Sequence, residues 1–147
     1  MKLTLNDYIS DELKDYLLMQ NGIIDVVITR TNDKYLTKLN IKYNNKTTPE
    51  IIMKYIELFQ NNKYSILFDF DKGTIGNYRK LQYTIGDMCC HYCYEGLVMD
   101  LFENNKIESV KSNFEFKKPA FNIEFIIEYS EDYSEQELIK YINEKYK

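Results

Sequence analysis

Apolar residues along the chain fall into two rhythms. One repeats every three to four residues and the other every second residue, which predicts a layered α+β fold. From Asn6 to Asn21 the helical spacing is carried by Tyr8, Ile9, Leu13, Tyr16, Leu17 and Gln20. Asp7, Asp11 and Glu12 favour its N-terminal end, and Gly22 supplies a stop. Ile23–Arg30 and Tyr35–Tyr43 then read as two strands around an Asn32-Asp33 turn. A second helix opens at Thr47-Thr48-Pro49-Glu50, where Thr47 and Glu50 have capping-box spacing. Ile52, Tyr55, Ile56 and Phe59 form its inward stripe, and Asn61-Asn62 closes it.

The alternation Tyr64, Ile66, Phe68, Phe70 predicts a strand, followed by the turn Asp71-Lys72-Gly73. Leu81, Tyr83 and Ile85 predict its neighbour, ended by Gly86-Asp87 before a helix over Met88–Asn104. Ile107–Phe116 and Phe121–Tyr129 form a third strand pair around Lys117-Lys118-Pro119. Ser134-Glu135-Gln136-Glu137 caps a last helix running to Tyr146.

The expected order is α-ββ-α-ββ-α-ββ-α: an antiparallel sheet of about six strands with helices on one face. Phe121, Ile123, Phe125, Ile127 and Tyr129 give the cleanest two-residue period, each large side chain contributing roughly 1.5–3 kcal/mol if fully buried. Lys38, Asn40, Lys42, Lys80, Gln82, Thr84, Asn122, Glu124, Ile126 and Glu128 would line the opposite, mostly polar face. The unit strand-strand-helix occurs three times, at about 23–61, 64–104 and 107–146. Leu58-Phe59-Gln60-Asn61-Asn62-Lys63 recurs as Leu101-Phe102-Glu103-Asn104-Asn105-Lys106, and Lys54-Tyr55-Ile56 as Lys140-Tyr141-Ile142 at twice that offset. A length of 147 residues suits one domain, 1–147.

Composition narrows the function. The net charge of −4 and pI near 5.1 argue against direct nucleic-acid binding, which needs a basic footprint. Abundant Asn, Lys and Ile match an AT-rich coding sequence, bacterial or phage. The N-terminus lacks a signal-peptide core, and no apolar run is long enough to cross a membrane, so a cytoplasmic location is expected. Three cysteines, two of them adjacent, read as reduced thiols there.

Met88-Cys89-Cys90-His91-Tyr92-Cys93 is the one stretch with metal or nucleophile chemistry. At about 100° per helical residue, His91 points away from Cys89 and Cys93, so these side chains cannot close one tetrahedral metal site. The same divergence separates His91 from the thiols as a base. The bland alternative is a stripe of Cys90, Cys93, Tyr94, Leu97, Val98 and Leu101 packed into the core. No phosphate loop or catalytic triad motif occurs, and Gly73-Thr74-Ile75-Gly76-Asn77 reads as a hairpin loop. No metal, cofactor or catalytic residue is expected.

Glu124, Glu128, Glu131, Asp132, Glu135 and Glu137 follow one another with no intervening Lys or Arg. Tyr92 and Met99, aligned on one helix and flanked by Glu95 and Glu103, add an interface-type pair. The expected partner surface is therefore Glu124, Glu128, Glu131, Asp132, Tyr133, Glu135, Tyr92 and Met99. Its natural ligand is a basic protein, since carboxylates imitate phosphates and steer cationic partners. The expected role is a non-enzymatic inhibitor or immunity protein that occludes a basic effector, such as a nuclease toxin or phage-defence protein. The alternative is a self-associating structural or accessory protein of a phage or mobile element, for which a homodimer through Tyr92 and Met99 would serve.

Overall fold

The computed structural model describes residues 1–6, 9–33, 36–60, 66–74, 76–88, 91–115 and 121–146. It is an α+β fold with strands in antiparallel sheet, as the alternating patterns predict. The elements are β1 (Lys2–Asn6), α1 (Asp11–Leu18), β2 (Ile23–Arg30), β3 (Thr37–Tyr43), α2 (Pro49–Phe59), β4 (Ile66–Asp71), β5 (Tyr78–Asp87), α3 (His91–Glu103), β6 (Ile107–Ser112), β7 (Phe121–Ser130) and α4 (Glu135–Tyr146). The chain divides into two compact units, Met1–Phe68 and Asp69–Lys147.

In the first unit the strand order is β2-β3-β1. β1 corrects the expectation of an opening helix from Asn6. Met1, Leu3 and Leu5 alternate with Lys2 and are buried, which is a strand rhythm, and Leu3 sits opposite Leu39 of β3. The helix begins only at Asp11 because Ser10 is its N-cap, the Ser10 hydroxyl accepting the Leu13 N–H at 3.4 Å. Tyr8 and Asp7 lie outside the described residues. The cap of α2 is likewise one residue later than the capping-box spacing implied: Thr48 accepts the Ile51 N–H at 3.2 Å, and Pro49 takes the first helical position. Gly22 has φ +89°, and a Cβ there would meet Thr47 at 2.9 Å, so only glycine fits this connection. Leu13 and Leu17 of α1 and Ile52, Met53 and Ile56 of α2 are buried, as are Leu3, Leu5, Val26, Leu39 and Ile41 of the strands, and α1 packs against both β2 and α2.

In the second unit the order is β4-β6-β7-β5. β6 and β7 pair as expected, but β4 and β5 do not. They are separated by β6 and β7, so the 72–77 segment is a crossover and not a hairpin loop. β5 and β6 both run antiparallel to β7, which makes β5-α3-β6 a strand-helix-strand crossover over β7. β5 also runs on through Gly86 to Asp87 where a break was expected. Ile123, Phe125, Ile127 and Tyr129 are buried, with Tyr94 of α3 stacked 5.6 Å from Phe125. Phe121 is the exception, 65% exposed at the first position of the strand, next to Asn122, whose φ is +52°. The α4 cap is as expected, with Ser134 Oγ accepting the Glu137 N–H at 3.0 Å. The expected turns and ends at Tyr35, Asn61–Tyr64 and Phe116–Pro119 lie outside the described residues.

Candidate partner-binding surface

The acidic run is built by the end of β7, a turn and the start of α4. Ser130 and Lys106 hold the turn from both sides. Ser130 Oγ donates to Asp132 Oδ1 at 2.5 Å, and Lys106 Nζ reaches Asp132 Oδ2 at 2.9 Å. The Ser130 bond and then the Lys106 bond pull the Asp132 carboxyl below its ordinary pKa. Tyr133 is half-buried and its N–H donates to Ser130 O at 3.0 Å. Glu131, Glu135 and Glu137 are all exposed. Asp132 is thus the internal tie of the turn, while its three neighbours point charge at solvent. Glu135 and Glu137 also sit on the first turn of α4, where the helix N-terminus stabilises carboxylates.

Glu124 and Glu128 belong to a different surface. They stand on the face of β7 opposite Phe125, in register with Thr84 and Lys80 of β5. Glu128 is half-buried and accepts the Ser109 hydroxyl at 2.8 Å. Lys80 and Lys111 share this face, which is therefore mixed in charge rather than acidic. Tyr92 and Met99 lie on α3, on the Phe125 side of the sheet. Tyr92 is 68% exposed and Met99 half-buried. Glu95, expected to flank them, is instead buried at 4% exposure. The eight expected residues form three separate groups rather than one surface.

The cysteine region also departs from expectation. Cys93 is disulfide-bonded and half-buried, which overturns the reading of all three cysteines as reduced thiols. Cys89, Cys90 and the His91 side chain lie outside the described residues. Among the described residues no group of three or more His, Cys, Asp or Glu is placed to hold a metal ion, and no helix is long and apolar enough to cross a membrane.

A polar cluster that the sequence did not single out fastens the crossover. Glu108, 6% exposed, accepts the Thr74 N–H at 2.6 Å and the Thr74 hydroxyl. That hydroxyl also bonds the Tyr78 hydroxyl at 2.6 Å. Lys72, 3% exposed, donates to Asn104 O at 3.2 Å and lies 5.0 Å from the Phe102 ring centroid. Glu108 sits where β6 shifts register between Ile107 and Ser109, so counting alternation along Ile107-Glu108-Ser109-Val110 does not find it. Nothing local marks Lys72, whose partners are distant in sequence.

Comparison with protein-family models, with curated proteins and with solved structures finds no match.

Proposed function

We propose that this chain is a non-enzymatic protein that captures a basic effector, of the nuclease-toxin or phage-defence kind, and acts in the cytoplasm as its inhibitor or immunity protein. The observation that supports this reading is the turn at Glu131–Glu137. Three exposed carboxylates are carried on a segment whose fourth is tied to Lys106 and Ser130. A held array loses little conformational freedom on binding, and unpaired carboxylates accelerate encounter with a cationic surface. Glu124 and Glu128 are left out of the proposed contact because Lys80 and Lys111 stand among them.

The test reverses Glu131, Glu135 and Glu137 to Lys together and leaves Asp132 intact. Titration calorimetry against a panel of purified nuclease domains with basic pI is run at low and physiological salt. At least one domain should bind the wild-type chain, with an affinity that drops roughly tenfold or more in the triple variant and depends less on salt. Absence of binding across the panel, or unchanged affinity in the variant, removes the proposal. Tyr92 at 68% exposure favours one other reading, a self-associating accessory protein. Light scattering of the same samples separates the two, since only that reading requires a Tyr92-dependent oligomer.

A further inference from the structure

We propose that β5 is a dimerisation strand: two copies of the chain pair their β5 edges, antiparallel, about a two-fold axis at Tyr83. The inference is independent of the acidic turn and of Tyr92. β5 is the last strand in the order β4-β6-β7-β5, and among the described residues it pairs only with β7. The far side of this ten-residue strand is therefore an open edge, a template for a further strand.

Edge strands are normally defended, and β2 shows how. It is the end strand of the first unit's β2-β3-β1 order. It carries a register shift between Ile23 and Asp25, and the Asp25 carboxylate occupies the Val26 N–H at 2.9 Å. β5 has neither device. Its register with β7 runs without a shift from Tyr78 opposite Ser130 to Asp87 opposite Phe121. Leu81–Gly86 holds no charge and no proline, and the charged Arg79, Lys80 and Asp87 stand toward the two ends.

The strand is complementary to itself. Residues directly opposite in an antiparallel pair share a face, so a two-fold axis that joins core face to core face is centred on a residue. Centring it on Tyr83 sets Arg79 opposite Asp87 of the second copy, and Asp87 opposite its Arg79. Leu81 then faces Ile85, and Gln82 faces Thr84. With the centre at Thr84 instead, Leu81 faces Asp87; with the centre at Gln82, Arg79 faces Ile85. Only the Tyr83 register makes both charge pairs. Arg79 and Asp87 are exposed, and neither side chain has an ion-pair partner among the described residues. The Asp87 carbonyl already accepts the Tyr146 hydroxyl, so the new ladder ends there and Asp87 contributes its side chain.

α4 adds a second layer to the contact. The Tyr83 hydroxyl donates to Asn143 at 3.0 Å, which places α4 beside the axis. A shallow groove of about 390 Å³ follows the outer stripe of α4, lined by Gln136, Ile139, Lys140, Asn143 and Glu144. The same axis sets the second copy's α4 antiparallel to the first, and the groove is where the two helices would meet. Leu81 and Ile85 are already nearly buried, at 6% and 7% exposure. The contact therefore rests on backbone bonds, charge pairs and the helix stripe more than on apolar area.

Sedimentation equilibrium of the full chain across the micromolar range tests this. The wild type should dimerise reversibly, and Tyr92→Ala should leave the dimer unchanged. Arg79→Asp and Asp87→Arg each turn both charge pairs into like pairs, so each alone should raise the dimer dissociation constant roughly tenfold or more. Mixed in equal amounts, the two variants oppose unlike charges at both contacts, and a heterodimer of near wild-type affinity should form. Hydrogen exchange of the wild type at low and high concentration needs no variant: protection should rise with concentration along residues 79–86 and not along β2. A wild type that stays monomeric, single variants that dimerise as well as the wild type, or a mixture that associates no better than its components overturns the proposal. So does a dimer that adds no protection in β5.

Discussion

The two units differ in what they add to an aliphatic interior. The first buries leucine, isoleucine and valine, with Leu3, Leu5, Leu13, Leu17, Val26, Leu39, Ile41, Ile52 and Ile56 nearly inaccessible. Its buried polar residues are the threonines Thr4, Thr37 and Thr47. The second buries aliphatic residues too, Leu97, Val98, Leu101, Val110, Ile123 and Ile127 among them, but adds rings, Phe70, Tyr94, Phe102, Phe114, Phe125 and Tyr129, and the charged Lys72, Glu95 and Glu108. The first is wired between chain neighbours, as in the β2–β3 hairpin. The second is wired across a crossover, from Thr74 to Glu108 and from Lys72 to Asn104. An aliphatic core needs only volume and pattern. A core holding charges needs each of them satisfied, and so depends on specific partners. The disulfide and the acidic turn belong to the second unit as well, so candidate chemistry gathers where the interior is least uniform.

The sharpest way to break this contrast is to place a charge among the rings. Tyr94 stacks on both Phe114, at 4.3 Å, and Phe125, at 5.6 Å. Phe125→Asp would bury an unpaired carboxylate and empty the centre of that stack, and no cooperative urea transition should remain. Leu39→Ala in the first unit removes only volume. It should leave a cooperative fold that is about 2–5 kcal/mol less stable. A cooperative Phe125→Asp variant would show that β7 does not carry the core of its unit.

The next test compares two threonines. Thr74 gives its hydroxyl to a buried carboxylate, whereas Thr31 gives its own to the Asp33 and Leu36 carbonyls at 2.7 and 2.8 Å in an exposed loop. Thr74→Val should cost about 1–3 kcal/mol in urea denaturation, because Glu108 is left short of a donor. Thr31→Val should cost less, about 0.5–1.5 kcal/mol, since water reaches its carbonyls. Equal costs would show that the Glu108 cluster does not fasten the crossover.

The same contrast explains what could be read in the sequence. Helices, strand alternation and the polar sheet face were legible because each is a property of neighbouring residues. Lys38, Asn40 and Lys42 face outward along β3 as their parity required. β1 was missed because Met1, Leu3 and Leu5 form a short run leading straight into the helical spacing of Ile9, Leu13 and Leu17. The pairing of β4 was hidden because its partner β6 lies beyond both β5 and α3. Parity predicts burial at Phe121, which is instead 65% exposed at the first position of β7, next to Asn122 at φ +52°. The expected binding residues came from two stretches of sequence, Glu124–Glu135 and the Tyr92 and Met99 pair, and they stand in three groups. Alternation alone separates Glu124 from Phe125, but only a partner list shows that Asp132 is already engaged.

The last prediction has a small effect at neutral pH and shows itself mainly in alkali. Tyr78, Tyr94, Tyr141 and Tyr146 all lie in the second unit, and all four hydroxyls are held above the ordinary tyrosine value of 10.0. Burial is the leading cause in each. For Tyr141, which donates to Asp100 O at 2.7 Å, the charges of Asp100 and Glu103 add to it and raise the pKa to about 12. The folded state therefore resists losing these protons, while the unfolded chain gives them up near pH 10. The stability they contribute is complete below pH 10 and drains away as pH climbs toward about 12. Urea midpoints measured at intervals between neutral pH and the alkaline limit should stay level and then fall. Tyr141→Phe should lower the neutral midpoint slightly, through the lost hydrogen bond, and flatten the alkaline descent. A descent as steep in Tyr141→Phe as in the wild type would place the alkaline weakness on other groups and detach it from the ring-and-charge interior of the second unit.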